Sequence, residues 1–277
     1  IYDMHSSLPQ QLTNFEFTKS KLLIGAFKAL ENSCLRKDDA IITICQDLAH
    51  YVNTLLDNPA KHFIIENYIF DQKNMANAAD EQKVTEVSEI NPPSTFKYIF
   101  YSGTLEPYHG IDILLPAFKI FVSERPNYRL LIVGGSKKQV EKYSQLAFTY
   151  GIADLCTFAG QVSQNLAKRY CSIASILVSP RKNGTNTPLK VYEQLASGIP
   201  LVATRIYSHT QVLDDGVAFL VEPTPEDMAG GMLKACGNRG SAKARQAQNL
   251  YAEKYSRDVY TEKMNRLFNH LECYERN

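Results

Sequence analysis

The sequence predicts an α/β protein whose larger part is a Rossmann-like, doubly wound parallel sheet. Six strand-to-helix steps follow one another from Phe96 to about residue 235, the pattern of a parallel sheet with helices on both faces. Right-handed crossovers turn such a series into a Rossmann-like domain. The 277 residues allow two domains, or one and a substantial part of another, at roughly 150 residues each.

The elements can be justified in order. Phe15, Leu22, Leu23, Ala26, Phe27 and Leu30 recur at helical spacing and predict an amphipathic helix over 14–35. AIITIC (40–45) is β-branched and unbroken, which suits a buried parallel strand. A helix over about 46–57 follows, then HFIIEN (62–67) as a strand. Residues 71–95 are polar, rich in Asn, Gln and Glu, and contain Pro92-Pro93, so they read as an interdomain connection.

From there KYIFYSG leads to a helix over 111–124, with Ile111, Leu114, Leu115, Phe118, Phe121 and Val122 in one stripe. YRLLIVGG leads to a helix over 139–150, CTFAG to 164–172, and SILVSP to 188–197. PLVAT precedes a short helix near 209–213, and FLVE precedes 225–235. The tail, 241–273, is helical with no strand signal.

Composition removes several classes of function. Lys+Arg 30 against Asp+Glu 29 leaves a net charge of +1, without the cationic excess of a non-specific nucleic-acid binder. No run approaches the ~18 apolar residues of a membrane span, and IYDMHSSLPQ has neither the basic segment nor the apolar core of a secretion signal. Six cysteines without CxxC spacing read as reduced core thiols of a cytosolic protein. The chain opens on Ile1 in what reads as the end of a strand, so it is read as processed, truncated or part of a longer protein.

Parallel sheets bind ligands beyond the carboxyl ends of their strands, at the switch point. The loops to inspect are 102–110, 134–138, 160–164, 179–187 and 204–209, and the most informative is SPRKNGTNTPLKVYEQLASGIPLVAT (179–204). Thr187-Pro188 predicts a helix start with a hydroxyl N-cap, and Gly198 with Pro200 its stop. No Glu or Gln closes a capping box; Lys190 sits in the first turn, where a cation opposes the helix dipole. An anion bound at that terminus would reverse the sign, and Arg181 and Lys182 add to the same field. The plain alternative is a solvated basic loop. Lys190 and Glu193, three apart, share a face opposite Leu189, Tyr192 and Ala196. A cation and a carboxylate one turn apart suit a nucleoside diphosphate: phosphate at one, ribose diol at the other.

The chain also resembles the retaining glycosyltransferases of family 4, the group 1 enzymes with the two-domain GT-B fold. The resemblance is carried by YSGTLEPYHGIDILLPAF (101–118), LLIVGG (130–135), TFAGQV (157–162), NTPLKVYEQLASGIPLVAT (186–204) and VLDDGVAFLVEP (212–223), in the family's order. Two earlier segments fit as well. IYDMHSSLP resembles the family's strand end with a histidine, and IIEN (64–67) its strand ending in Asn.

The resemblance implies a complete C-terminal Rossmann-like domain at 96–240 that binds a nucleotide-sugar. It implies that residues 1–70 are the last part of an N-terminal, acceptor-side Rossmann-like domain, that 71–95 link the two, and that 241–277 cross back to the first. Glu193 matches the glutamate that holds the donor ribose. The loop Gly184, Thr185, Asn186, Thr187, Pro188, Leu189 and Lys190 would lie along the diphosphate and sugar, with Gly103 and Thr104 approaching the phosphates from the other side. His5 would stand near the transferred sugar, polarising the acceptor or stabilising charge. Gly134 belongs to a tight turn beside the nucleotide.

Three positions depart from the family's pattern: its first glutamate falls on Thr185, its arginine on Thr104 and its lysine on His109. Lys190, Arg181 or a protonated His109 are the cations that could replace the last two. No two aspartates stand two residues apart, so no Asp-x-Asp holds a catalytic metal, and no cofactor is expected beyond the nucleotide-sugar substrate. The function implied is transfer of a hexosyl-type sugar, with retention, to a glycan or lipid-linked acceptor, as in polysaccharide biosynthesis. A cytoplasmic location follows. Lys19, Lys21, Lys28, Arg36 and Lys37 offer peripheral contact at the inner face of the membrane, against the alternative of an ordinary solvated face. A sugar-nucleotide epimerase and a non-catalytic nucleotide-sugar-binding remnant are the competing functions.

Overall fold

A computed structural model describes residues 1–9, 12, 20–66 and 95–275. Phe15, Lys19, Asn67, residues 71–94 and Pro92-Pro93 therefore lie outside the described residues. The chain divides into two compact units, Ile1–Ile69 with Thr185–Leu189 and Glu253–Asn277, and Phe70–Gly184 with Lys190–Ala252. Both are α/β with parallel sheets.

The first unit holds three short strands, β1 (Tyr2–Met4), β2 (Ile41–Thr43) and β3 (His62–Ile64), parallel and in sequence order. Helix α1 (Lys21–Lys37) starts at Ser20, whose hydroxyl accepts from Leu23 N, and α2 (Gln46–Asn53) follows β2 directly. Met4, Leu35, Ile41, Cys45, Leu48 and Val52 close the core between them. The apolar stripe expected on α1 does not face that core: Leu22 is 89% exposed and Leu30 62%, whereas Glu31 and Leu35 are buried. The helix packs through its second half because its buried carboxylate is an anchor. Glu31 accepts from Ser7 Oγ at 2.9 Å, Leu8 N at 3.1 Å and Tyr51 OH at 2.8 Å. Three donors offset the cost of burying a carboxylate, and they fix the turn that follows β1.

The second unit carries six strands: β4 (Lys97–Ser102), β5 (Tyr128–Val133), β6 (Cys156–Gly160), β7 (Ala174–Ser179), β8 (Leu201–Thr204) and β9 (Phe219–Val221). They pair in the order β6-β5-β4-β7-β8-β9, all parallel. Chain direction across the sheet reverses between β4 and β7, which is the doubly wound order with its switch point there. Helices α3 (Ile111–Glu124), α4 (Lys137–Thr149), α5 (Gln164–Ser172), α6 (Leu189–Ala196), α7 (Tyr207–Thr210) and α8 (Pro225–Ala235) follow the strands in turn. The α3 stripe is buried as its spacing predicts, with Phe118 and Phe121 fully enclosed, and α3 packs on α8.

Several boundaries differ from the sequence reading for local reasons. Helix α4 begins at Lys137, earlier than expected, because Ser136 and Gln139 form a reciprocal capping box. Helix α2 ends at Asn53, where Thr54 Oγ1 turns back onto the Tyr51 carbonyl at 2.7 Å. The tail forms two helices, α9 (Asn238–Lys254) and α10 (Arg257–Glu275). In the first unit α10 packs Leu267 against Ala40 and Ile65. All six cysteines are free thiols, but only Cys45 is fully buried and Cys273 is exposed.

Candidate active site at the switch point

The carboxyl ends of β4 and β7 open into two segments, 103–110 and 180–184, that bracket the switch point. Backbone geometry brings them together. Gly110, at φ 74, is the left-handed turn before α3, and a side chain there would run into the Pro180 carbonyl. Lys182 N donates to Tyr108 O at 2.8 Å, and its ammonium pairs with Asp112 Oδ2 at 2.9 Å. Gly134 packs on the Gly103 carbonyl and donates its own N–H to Gly160 O at 2.6 Å. A side chain at Gly103 would meet the Lys190 ammonium and one at Gly134 the Gly103 backbone, so only glycine fits where β4 and β5 turn away together.

Three basic side chains converge on this ground. Lys190, in the first turn of α6, sends its ammonium to the Ser102 carbonyl and lies 5.0 Å from the Tyr101 ring centroid. Among the described residues no carboxylate lies within ion-pair distance of it. Burial is the main cause that pushes its pKa down to about 8; Glu193, one turn on, works against the shift and Arg181 adds to it. Arg181 stands 5.3 Å from the Tyr108 ring centroid, and its Nε donates to Asn183 O at 2.7 Å. His109 is the third. Burial, reinforced by the charges of Lys190 and Arg181, pushes its pKa down to about 4. The expected protonated His109 is therefore corrected: near pH 7 the imidazole is neutral, a hydrogen-bonding group and not a cation.

Chemically, this is a half-buried pair of cations at the carboxyl ends of the two central strands, with an exposed carboxylate, Glu193, one turn along α6. Comparison with known proteins decides the family. The sequence profile of the glycosyl transferases group 1 family matches residues 83–255. The chain belongs to the group 1 glycosyltransferases.

Its similarities run through that family. It is 26% identical over 174 residues to a D-inositol 3-phosphate glycosyltransferase of Nocardioides, covering 57% of this chain and 38% of that one. It is 24% identical over 248 residues to the lipopolysaccharide 1,2-N-acetylglucosaminetransferase of Salmonella typhimurium, covering 86% and 64%. The chain thus spans well under half of the first relative's length and just under two thirds of the second's. A crystal structure of the Anabaena protein Alr3699/HepE in complex with UDP superposes with a TM-score of 0.72 at 14% identity, covering all of this chain and 72% of that one. Such structural neighbours establish the GT-B type of fold.

Within this group 1 glycosyltransferase the expected site residues fall into two sets. Gly103, Thr104, His109, Gly134, Arg181, Gly184, Lys190 and Glu193 belong to the six-stranded unit, and the first seven meet around the switch-point loops. Thr104 is exposed and offers its carbonyl to Tyr101 OH at 2.7 Å. His5, Thr185, Asn186, Thr187, Pro188 and Leu189 belong to the first unit. There Asn186 Nδ2 donates to the His5 carbonyl at 3.0 Å, while the exposed His5 ring pairs with Asp3 at 3.2 Å.

The N-cap expected at Thr187 is not made: its buried hydroxyl has no hydrogen-bond partner among the described residues. The buried face of α6 also differs from the expected one. Val191, Tyr192, Gln194 and Leu195 are enclosed, and Leu189 is 51% exposed. Tyr101 and Tyr108, whose rings underlie the two cations, were missed from the sequence. Their position at the end of β4 and in its loop was the available signal.

Proposed function

We propose that this glycosyltransferase binds a nucleotide-diphosphate sugar at the carboxyl ends of β4 and β7 and transfers the sugar with retention. The observation that carries the reading is Lys190. Its ammonium is largely withdrawn from water, sits at the unfavourable end of a helix and has no carboxylate in ion-pair range among the described residues. A bound diphosphate would supply the missing anion, and free N–H groups at the start of α6 would face it too. Arg181 adds charge, and His109 a hydrogen bond, in place of the family's usual arginine and lysine. Glu193, exposed one turn along, is assigned to the ribose diol.

In this reading the bond between the anomeric carbon and the diphosphate breaks while one to the acceptor oxygen forms on the same face. The acceptor's proton passes to the departing phosphate oxygen. Charge grows on the diphosphate as it leaves, and a preorganised ammonium there stabilises the transition state. His5 is assigned to polarising the acceptor, a glycan or lipid-linked hydroxyl. The relative named as a lipopolysaccharide sugar transferase favours an acceptor of that kind, whereas those named D-inositol 3-phosphate glycosyltransferases point to a small phosphorylated polyol. A peripheral membrane position on the cytoplasmic side remains part of the proposal, and no described helix is long and apolar enough to cross a membrane. A second reading, a protein that binds the nucleotide-sugar without transfer, draws on Thr104, His109 and Thr185 at positions the family fills otherwise.

The test is calorimetric titration of UDP and GDP across pH. Lys190 is charged below its pKa of about 8 and loses its proton above it, whereas a bound anion holds the proton on. Affinity is expected to be nearly constant between about pH 7 and 8, where the diphosphate is fully ionised, and to fall by up to about tenfold per pH unit above that range, with net proton uptake on binding. Affinity that stays flat to pH 10 contradicts the assignment. Turnover of the corresponding nucleotide-sugar separates transfer from binding alone.

A further inference from the structure

His209 is completely enclosed in the six-stranded unit, in α7 just past the end of β8. Its Nδ1 lies 2.8 Å from the Thr204 backbone carbonyl. A carbonyl can only accept, so Nδ1 carries the hydrogen. Nε2 is then bare and accepts the hydroxyl of Ser179, 2.9 Å away. Burial, helped by the nearby charges of Arg181 and Lys190 and opposed by the Thr204 carbonyl, pushes the ring's pKa down to about 4. A single-proton imidazole, donating on one side and accepting on the other, is therefore the state near pH 7.

The two groups it joins are the last residues of neighbouring strands, Ser179 of β7 and Thr204 of β8. Thr204 Oγ1 in turn donates to the backbone carbonyl of Arg181. Between Ser179 and Arg181 lies Pro180, whose carbonyl closes against Gly110. Every residue of the 179–181 segment is thus fixed by a named contact, and two of the three trace to His209 or to its partner Thr204. An apolar side chain could fill this space without the cost of burying an imidazole, but it would make neither the bond to Ser179 nor the bond to the Thr204 carbonyl.

We propose that His209 is a positioning residue for the nucleotide-sugar pocket: by tying the ends of β7 and β8 together it sets the segment that presents Arg181 to the diphosphate. The inference rests on the binding reading above and goes beyond it by naming a residue that never touches the ligand.

Titration of UDP and GDP onto the whole chain and its variants tests this. His209→Leu is expected to weaken the better-binding nucleotide about tenfold, the loss of one well-placed charge-assisted contact. His209→Gln, whose amide can again donate and accept, should recover most of that loss. The deciding measurement is the pair cycle. If His209 acts through Arg181, His209→Leu/Arg181→Ala binds no more weakly than Arg181→Ala alone. A merely structural histidine would lower the melting temperature, leave affinity at the wild-type value, or give losses that add with Arg181→Ala; each of the last two results overturns the proposal. Should His209→Leu fail to fold, Ser179→Ala cuts the same link with little change of volume and is read against Arg181→Ala in the same way. A wild-type chain that binds neither nucleotide removes the functional reading and this inference together. Binding with additive losses removes only the inference.

Discussion

Lys190→Met is expected to lower sugar transfer by about 10²–10³-fold, the usual effect of removing one preorganised donor from a developing oxyanion. The same change should leave the melting temperature unchanged or raise it. The reason is the sign of the pKa shift: a lysine moved from 10.5 to about 8 is one whose charged form the folded chain disfavours. Below pH 8 the folded chain carries that penalty in full, and between pH 8 and 10.5 it is relieved as the ammonium loses its proton. Methionine keeps the length of the stem and removes the charge, so what is lost is function and what is relieved is a cost of folding. Steady-state kinetics with the nucleotide-sugar, beside thermal melts at pH 7 and pH 9.5, checks both halves. A variant that is destabilised yet transfers normally would mean that Lys190 only braces the Ser102 carbonyl.

The second large effect is on stability. Gly134→Ala should cost about 2–5 kcal/mol, from a backbone conformation that side chains rarely adopt and from overpacking against a rigid neighbour. Gly134 sits at φ 109, and the new methyl would strike the Gly103 carbonyl, which is backbone and cannot rotate aside. Relief requires the β4 loop to move, and that loop carries Gly103 beside the Lys190 ammonium. Urea or thermal denaturation followed by circular dichroism reads the loss, expected as a fall of roughly 5–15 °C in melting temperature. By comparison, Gly25, which has nothing within reach of an added methyl and lies in α1, should tolerate alanine or gain from it. Equal behaviour of the two variants would contradict the packing account.

What could be read from the sequence follows from how local each determinant is. The β4–β9 series was legible because buried parallel strands are apolar runs punctuated by glycine, and the α3 stripe because its six spaced residues are large, apolar and buried. The stripe on α1 misled for the opposite reason. Leu22 and Leu30 follow helical spacing, yet the helix is anchored by Glu31, whose three donors come from residues distant in sequence. Pattern alone counts a leucine as inward and a glutamate as outward.

In the site, Lys190 and Glu193 could be singled out because a cation in a first helical turn breaks a local rule. The neutral state of His109 could not, since it depends on burial and on two cations brought up by other loops. Thr187 shows a further limit. Its residue type and the following proline satisfy every local condition for a cap, but its hydroxyl is enclosed without a partner among the described residues. His209 was invisible for a similar reason: Thr204 is a local partner, but Ser179 is thirty residues away and is brought to the ring only by the pairing of β7 with β8.

The most direct measurement pairs a change in the protein with a change in the ligand. UDP and GDP, each with ribose intact or as the 2′,3′-dideoxy form, are titrated onto the wild type and onto Glu193→Ala. The account predicts that removing either the carboxylate or the diol weakens binding roughly 10- to 100-fold, and that removing both weakens it no further. Binding of neither diphosphate, or a Glu193→Ala chain that still distinguishes ribose from its dideoxy form as the wild type does, would contradict it.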